Sequence, residues 1–275
     1  VVLAAFIVLV SLIGVAFSML WGGREVLSEQ GLGFFFSTEW DPVENRYGAL
    51  VPIFGTLVTS VIALMIAVPV SFGIAVYLTE VAPVWLRTPV GSAIELLAGI
   101  PSIIYGMWGL FVLVPMMTAY VTPWLNDHLG ALPFIGELFQ GPPIGIGLLT
   151  AGFVLSIMVI PFISSVMREV FLTVPVRLKE SAYALGATRW EVVWNIVLPY
   201  TRSAVIGGVF LGLGRALGET MAVAYVVGNT VRFSASLLEP GTTIAALIAN
   251  DFAEATDSYR SALLLLGFVL FVVTF

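Results

Sequence analysis

The sequence predicts an all-α polytopic membrane protein with six transmembrane helices. Of its 275 residues, 59% are hydrophobic and only 10% are Asp, Glu, Lys or Arg, whereas about 25% are charged in an ordinary soluble domain. Three long runs, at 47–79, 96–126 and 138–167, contain no such charged residue. Each is longer than the roughly 20 apolar residues that a helix needs to cross the hydrocarbon. Because lipid offers the backbone no hydrogen-bond partners, the spans should be helices.

The spans are placed from these runs and from three further apolar segments. The first segment has no basic flank and no small-residue cleavage site, so we interpret it as a transmembrane helix and not as a signal peptide. Since Val1 already lies inside this segment, we expect further residues upstream. The sequence thus predicts a single transmembrane domain over 1–275, with spans at 1–21, 49–79, 92–118, 144–166, 203–228 and 259–275.

Two sets of loops alternate along the chain and differ in charge. Six basic residues lie in loops 80–91 and 167–202, against four in or beside loops 22–48, 119–143 and 229–258. Because cytoplasmic loops carry the excess of Lys and Arg, we place the first set in the cytoplasm. The outer set holds eleven acidic residues against its four basic ones, a net charge of about −7.

The loop 167–202 has the pattern of two helices joined by a turn. Pro175 suits the first position of a helix, and Gly186 suits the left-handed conformation that often ends one. Thr188 and Glu191 form a capping box that opens a second helix, and Pro199 is expected where the fifth span begins. From these residues alone, an amphipathic surface hairpin without a partner is an equally good interpretation. One face of the first helix comprises Val174, Leu178, Ser181, Ala182 and Leu185.

The same loop resembles the EAA signature of permeases from binding-protein-dependent ABC importers. The resemblance is carried by Glu180-Ser181-Ala182, by Gly186 six residues after the glutamate, and by Ile196-Val197-Leu198-Pro199. Ser181 departs from the usual alanine, one small residue in place of another. The resemblance implies the ABC importer permease fold (MetI-like) with a cytoplasmic coupling helix. It also implies that coupling to an ATPase subunit uses Glu180, Ala182, Gly186 and Arg189.

The chain lacks the residues needed to hydrolyse ATP itself. A P-loop requires a lysine after a GxxxxG pattern, and the only lysine, Lys179, follows no such pattern. We therefore expect no enzymatic activity here, with ATP and Mg²⁺ bound by a separate ATPase subunit. Without cysteine the chain has no thiolate metal site, and we interpret His128 as an exposed loop histidine. No cofactor or metal is expected in this chain.

Further stretches, from about Glu39 to Phe275, are similar to PstC-type permeases of bacterial phosphate importers. The resemblance implies transport of inorganic phosphate from a phosphate-binding protein to the cytoplasm, across the bacterial cytoplasmic (inner) membrane. It also implies a heteromeric complex with a sister permease (PstA-type) and two copies of an ATPase subunit. Since the acidic outer loops repel free anions, we expect them to dock the loaded binding protein. The similar stretches are 55–60, 95–106, 108–111, 212–222, 228–230 and 250–254.

Arg215 is the residue that points most directly to a translocation site. It lies 16 residues beyond Pro199, about 24 Å along a helix, and an arginine so deep costs at least about 2.5–3.5 kcal/mol on insertion. Glu219 follows at i+4, on the same face of the predicted helix. We interpret both as translocation residues that meet an oxyanion, with Thr220 and Asn229 as weaker polar candidates. A purely structural pair of Arg215 with Glu219 is the alternative.

Other features of the spans favour structural roles. Glu95 is predicted about one turn into the third span, where a supporting or interfacial role fits better than contact with substrate. Two pairs of glycines on the fifth helix have small-xxx-small spacing, which predicts tight helix packing. They are Gly208, Gly212, Gly214 and Gly218.

Three other functions stay open on the residues alone. A permease for another oxyanion or small solute would share the EAA loop without needing Arg215 and Glu219. An ion channel or proton-coupled carrier would work without an ATPase and would leave the EAA loop unexplained. An intramembrane enzyme acting on lipid phosphates would need a His/Asp/Ser constellation at one membrane surface, and the sequence shows none.

Overall fold

The computed structural model describes residues 2–133 and 135–275 and confirms the all-helical class. In chain order the elements are α1 (Val2–Gly22), α2 (Arg24–Gln30), α3 (Gly33–Phe36), β1 (Trp40–Asp41), β2 (Arg46–Tyr47), α4 (Leu50–Val81), α5 (Val84–Ala98), α6 (Ser102–His128), a 3-10 turn (Gly136–Phe139), α7 (Leu148–Leu172), α8 (Val176–Ala184), α9 (Arg189–Leu217), α10 (Met221–Ala224), α11 (Ile244–Asp251) and α12 (Asp257–Thr274).

Six of the described helices are long and apolar enough to cross a membrane, which is the number that the sequence predicts. They are α1, α4, α6, α7, α9 and α12. The ends of α1, α4, α7 and α12 lie within six residues of the predicted limits. Position 1 of the first predicted span lies outside the described residues.

The third spanning helix lies later in the chain than the predicted 92–118. The charge-free run crosses two helices, because α5 stops and α6 starts inside it. Gly99 closes α5 by donating its N–H to carbonyls of the last turn. Pro101 then precedes α6, and a proline has no N–H with which to continue a helical ladder. The prediction that Glu95 lies inside the third span is therefore wrong, since α5 is a separate helix.

The fifth spanning helix lies earlier than the predicted 203–228. It begins at Arg189 and continues through Pro199, so the prediction that Pro199 marks the beginning of the span is wrong. A widened, π-helical turn at Val193–Val197 immediately precedes this proline, which has no N–H to donate. The helix ends at Leu217, although a further apolar run begins at Met221. Apolar composition thus predicts the number of long helices better than it predicts where they end.

The described chain packs as two compact units, each built from segments distant in sequence. The first unit comprises the residues up to Thr59, Gly106–Ala151 and Leu217–Phe275, and the second comprises Ser60–Tyr105 and Gly152–Ala216. The single transmembrane domain expected from the sequence stays a prediction.

A hydrophobic core in the first unit anchors the loop between α1 and α4. Its fully buried side chains include Phe34, Tyr47 and Leu263. Tyr47 stacks on Tyr259 of α12 with the ring centroids 5.7 Å apart, and it faces Trp40 across the antiparallel β1–β2 hairpin. The hairpin is therefore held against the beginning of α12.

Aromatic rings and small residues join the helices of the second unit. The ring of Phe72 on α4 contacts the rings of Phe171 on α7 and Trp194 on α9, with centroids 5.8 and 6.0 Å apart. The Oγ of Ser71 donates a hydrogen bond to the carbonyl of Ile160 at 3.0 Å. The later half of α4 is thus packed on both α7 and α9.

The glycines of α9 bring it close to α7. A Cβ atom on Gly208 would lie 2.9 Å from Val166, and one on Gly212 would lie 2.6 Å from Ile163. The predicted tight packing is confirmed at these two positions. A Cβ atom on Gly214 would meet open space, so this glycine is not part of the contact.

Candidate translocation and coupling sites

Arg215 lies in the last turn of α9 and is partly buried in the second unit. Its Nε is buried and has no hydrogen-bond partner among the described residues. The guanidinium carbon lies 5.7 Å from the ring centroid of Phe162 on α7, a cation–π distance. A guanidinium beside an aromatic face, with a buried donor left over, has the chemistry to accept an oxyanion.

Glu219 does not continue the helix that carries Arg215. Because α9 ends at Leu217, Glu219 lies in the connection that follows, so the predicted i+4 relation on one helical face is wrong. Its Oε1 instead accepts a hydrogen bond from the backbone N–H of Ala222 at 3.1 Å. This bond satisfies one of the free N–H groups at the beginning of α10. Gly218, which adopts a turn after α9, is the residue that ends the helical pattern.

Thr220 immediately precedes α10, and Asn229 follows it by five residues. Thr220 is the residue before the first turn of α10 and is partly buried. Asn229 is exposed and has a φ of 50°, a left-handed conformation that asparagine tolerates better than most residues. Its side-chain amide donates to the carbonyl of Ala224 at 2.9 Å. The first unit therefore brings Glu219, Thr220 and Asn229 together around one short helix.

The predicted helix–turn–helix of the 167–202 loop is present. Pro175 is the residue immediately before α8, and not its first residue as predicted. Gly186 has a φ of 88°, the left-handed conformation that was expected of it. In the capping box, the N–H of Thr188 donates to the Glu191 carboxylate at 2.7 Å and the N–H of Glu191 donates to the Thr188 hydroxyl at 3.3 Å. We call α8 the coupling helix from here on.

The coupling helix leaves most of its predicted contact residues open. Glu180, Gly186 and Arg189 are exposed, and Ala182 is partly buried. Leu185, at the end of the predicted apolar face, is 90% exposed. Val176 and Leu178 of the same helix are exposed as well, and several exposed apolar side chains on one short segment are typical of a surface that another protein covers.

A cleft of about 560 Å³ lies between the coupling helix, α5 and the end of α4 in the second unit. Lys179 of the coupling helix forms an ion pair there with Glu80. Burial, and next the carboxylate of Glu80, raise the pKa of the Tyr183 phenol, while Arg189 opposes them. The sequence predicts no role in coupling for Lys179, although its being the only lysine in the chain is a signal.

Glu95 takes part in an ion pair on the surface of the second unit. Its Oε1 lies 3.3 Å from Nη1 of Arg168 on α7, and the same nitrogen lies 3.3 Å from Oε1 of Glu169. The Glu95 side chain is 54% exposed. These contacts favour the interfacial role that the sequence predicts for Glu95.

A groove of about 510 Å³ opens beside the β1–β2 hairpin in the first unit. Arg46 lies 3.5 Å from carboxylate oxygens of both Glu39 and Glu44, and all three side chains are more than 60% exposed. Such exposed pairs contribute little to stability, so their charges remain available to a partner. Asp41 and Arg232 also line this groove.

Together, six apolar helices and the exposed helix–turn–helix of loop 167–202 define a multi-pass helical membrane protein. The chain belongs to the family described as the binding-protein-dependent transport system inner membrane component, whose model matches residues 67–275. It is therefore an inner-membrane component of a transport system.

The proteins similar to this chain include two relatives and one solved structure. A protein of Xylella fastidiosa (strain 9a5c) called phosphate transport system permease protein PstC is 79% identical over 272 residues, covering 99% of this chain and 84% of the relative. A protein of the same name from Pasteurella multocida (strain Pm70) is 56% identical over 270 residues, covering 98% and 84%. A chain of the inward-facing MetNI methionine ABC transporter has a TM-score of 0.51 at 18% identity, covering 82% of this chain and 89% of that one. This last likeness shows the ABC importer permease fold and nothing about the substrate.

Proposed function

We propose that this chain is a membrane-spanning subunit of an ATP-driven importer that moves inorganic phosphate into the cytoplasm. The observation that carries the proposal is the 79% identity, over nearly the whole chain, to a relative called a phosphate transport system permease protein. The free buried Nε of Arg215 supports an anionic substrate. The exposed coupling helix supports the proposal that a separate ATPase subunit powers the transport.

The complex that this function requires has four kinds of subunit. This chain pairs with a sister permease (PstA-type), two copies of an ATPase subunit bind ATP and Mg²⁺, and a phosphate-binding protein delivers the substrate. The chain itself needs no cofactor, because it forms part of the translocation path and the ATPase subunits hydrolyse the ATP. The acidic groove beside the hairpin is where we place the binding protein, since its exposed charges lie on the side predicted to face outward.

The coupling residues form one surface on and beside the coupling helix. Glu180 and Ala182 lie on the helix, Gly186 makes the turn, and Arg189 begins α9. We propose that this surface contacts the ATPase subunit. Because Gly186 and the capping box fix the angle between the two helices, closure of the ATPase would be passed on to the spans.

In the translocation step, Arg215 offers paired N–H donors to two phosphate oxygens. Glu219, if ionised, can only accept hydrogen bonds. Phosphate near neutral pH keeps at least one hydroxyl, which can donate a hydrogen bond to the Glu219 carboxylate. Sulfate has no hydroxyl, so its oxygens would face the carboxylate without a hydrogen bond and would be repelled by its charge. Thr220 and Asn229 would add polar contacts along the path. Binding must be weak, because the phosphate has to leave again.

The test is uptake of radiolabelled phosphate and ATP hydrolysis by the reconstituted complex, with and without the binding protein. We expect uptake that requires ATP, the ATPase and the binding protein, and that excess sulfate does not compete away. Uptake without the ATPase would indicate a channel or carrier. ATP-driven uptake of another solute in preference to phosphate would overturn the substrate and leave the transporter class intact.

A further inference from the structure

Lys179, the only lysine in the chain, has a partner that the sequence does not suggest. Its Nζ forms an ion pair with Oε1 of Glu80, 99 residues earlier. Glu80 lies in the π-helical turn Tyr77–Val81 that ends α4. Within the second unit, the pair thus joins the coupling helix to α4, a helix with which it has no direct chain connection.

Both side chains of this pair are largely withdrawn from solvent. The Lys179 side chain is 15% exposed and that of Glu80 is 6% exposed. By contrast, the side chains of the Arg46–Glu39 pair are 63% and 64% exposed. On the coupling helix, Arg177 and Glu180 are exposed, so Lys179 is its inward-directed charge.

Other charges near the pair are engaged elsewhere or lie at the rim. Arg87 donates through Nε to the carbonyl of Ala82 at 2.9 Å, and Arg189 lines the same cleft from an exposed position. Among the described residues, Lys179 and Glu80 each have the other as their only ion-pair partner. The charges of Lys179 and Glu80 therefore neutralise each other, and the pair is not part of a larger surface network of ion pairs.

The strength of such a contact depends on its burial. Removing one member of a buried pair leaves an uncompensated charge in a poorly solvated place, which is strongly unfavourable. Separating the two groups while both stay buried would have the same consequence. The pair should therefore persist while the coupling helix moves.

We infer that the Lys179–Glu80 pair is a positioning contact that makes the coupling helix and the end of α4 move as one body. The chain already connects the coupling helix to α7 and α9, and the pair adds α4. Since Phe72 packs α4 on both of those helices, a displacement of the coupling helix would reach all three spans together. The role in transport rests on the proposed function, whereas the mechanical link does not.

The first arm of the test measures the link without transport. Hydrogen exchange is followed at the amides of Val176–Ala184 in the purified complex, for the wild type, Lys179→Gln and the matched control Arg202→Gln. Arg202 is exposed on α9 and takes part in no ion pair among the described residues. We expect exchange to rise about tenfold in Lys179→Gln, since the helix loses its buried contact, and to stay unchanged in the control. Unchanged exchange in Lys179→Gln would overturn the inference.

The second arm measures phosphate imported per ATP hydrolysed, which a purely stabilising contact would not alter in assembled complexes. We expect Glu80→Lys and Lys179→Glu each to lower this ratio at least about fivefold. The double variant Glu80→Lys/Lys179→Glu restores the opposite charges and should return the ratio to within about twofold of the wild type. An unaltered ratio in both single variants would reduce the pair to a structural contact.

A crosslinking arm decides the matter if the charge-reversed subunits fail to assemble. Because the 275-residue sequence has no cysteine, Glu80→Cys/Lys179→Cys introduces the only two thiols of this sequence for a short bismaleimide. We expect the crosslinked complex to couple better than the same complex before crosslinking, since the link replaces the pair. Loss of uptake on crosslinking would show that the two residues must separate, and would overturn the inference. If the wild-type complex imports no phosphate, the proposed function fails, and the exchange arm still tests the link.

Discussion

Gly55 on α4 lies against the carbonyl oxygen of Thr242, so closely that a Cβ atom on residue 55 would fall far inside van der Waals contact with that oxygen. The next residue, Thr56, reinforces the same contact by accepting the N–H of Ile244 at its Oγ1, at 2.9 Å. Both contacts lie in the first unit and fix the beginning of α11 on α4. The close approach requires glycine because the obstacle is backbone, which cannot move aside as a flexible side chain does.

We therefore expect Gly55→Ala to lower the stability of the subunit by about 2 kcal/mol or more. The matched control is Gly73→Ala in the same helix, where an added Cβ would meet nothing within 4 Å. Alanine there should be neutral or stabilising by up to about 1 kcal/mol, since it favours the helix. Thermal unfolding of the two detergent-purified variants makes the comparison. Equal melting temperatures would contradict the importance of the contact.

A second prediction concerns the turn after the coupling helix. Gly186 has a positive φ but open space around it, so a side chain there meets strain and not a clash. We expect Gly186→Asp to insert normally and to lose ATPase binding or transport-linked hydrolysis. Gly186→Asn is the control, because it has the same shape without the charge and tolerates the left-handed conformation.

Copurification of the ATPase with each variant, followed by phosphate-stimulated ATP hydrolysis, distinguishes the causes. If ATPase binding or hydrolysis is lost in both variants, the strained backbone at residue 186 is the cause. If it is lost in Gly186→Asp alone, the added charge is the cause. Wild-type binding and hydrolysis in Gly186→Asp would remove the turn from the ATPase contact.

How well the sequence predicts a structural feature depends on how far apart in the chain the interacting residues lie. The Thr188–Glu191 capping box and the Gly186 turn are local patterns, and both are confirmed. The ends of the spans were less predictable, because Gly99 and Gly218 end helices inside segments that are mostly apolar on both sides of the glycine. Glu219 was misplaced for this reason. The partner of Lys179 could not be predicted, since periodicity carries no information about a residue 99 positions away.

A third prediction concerns delivery of the substrate to the outer face. We expect Glu44→Lys to weaken binding of the loaded phosphate-binding protein by about tenfold, because it reverses a charge at the rim of the groove. The control is Glu25→Lys, which changes the outer charge equally but lies on α2, outside the groove. Binding to the complex in nanodiscs should also weaken as salt rises, because salt screens exposed charges. An equal loss in both variants would assign the effect to the overall charge and not to the groove.

A fourth prediction concerns Arg215. Arg215→Lys keeps the positive charge but loses the planar pair of donors, so we expect phosphate uptake to fall about tenfold or more. Arg202→Lys is the matched control on the same helix, at an exposed position, and should keep wild-type uptake. Both variants are assembled with intact partners, and the yield of the complex is measured beside the uptake. Wild-type uptake by Arg215→Lys would leave Arg215 with a structural role only.

The last prediction separates the two roles that Glu219 can have. Its carboxylate caps α10 by accepting the N–H of Ala222, and a glutamine at this position still has an amide oxygen that can accept the same bond. Glu219→Gln should therefore retain assembly and melting temperature, so that any change in transport reports on the lost charge. Because a neutral amide no longer repels an unprotonated dianion, we expect phosphate uptake to fall and competition by sulfate to increase. Glu219→Ala, which removes the cap as well, should lose about 1 kcal/mol of stability in addition. If uptake and sulfate exclusion in Glu219→Gln match the wild type while Glu219→Ala is destabilised, Glu219 serves only to cap α10.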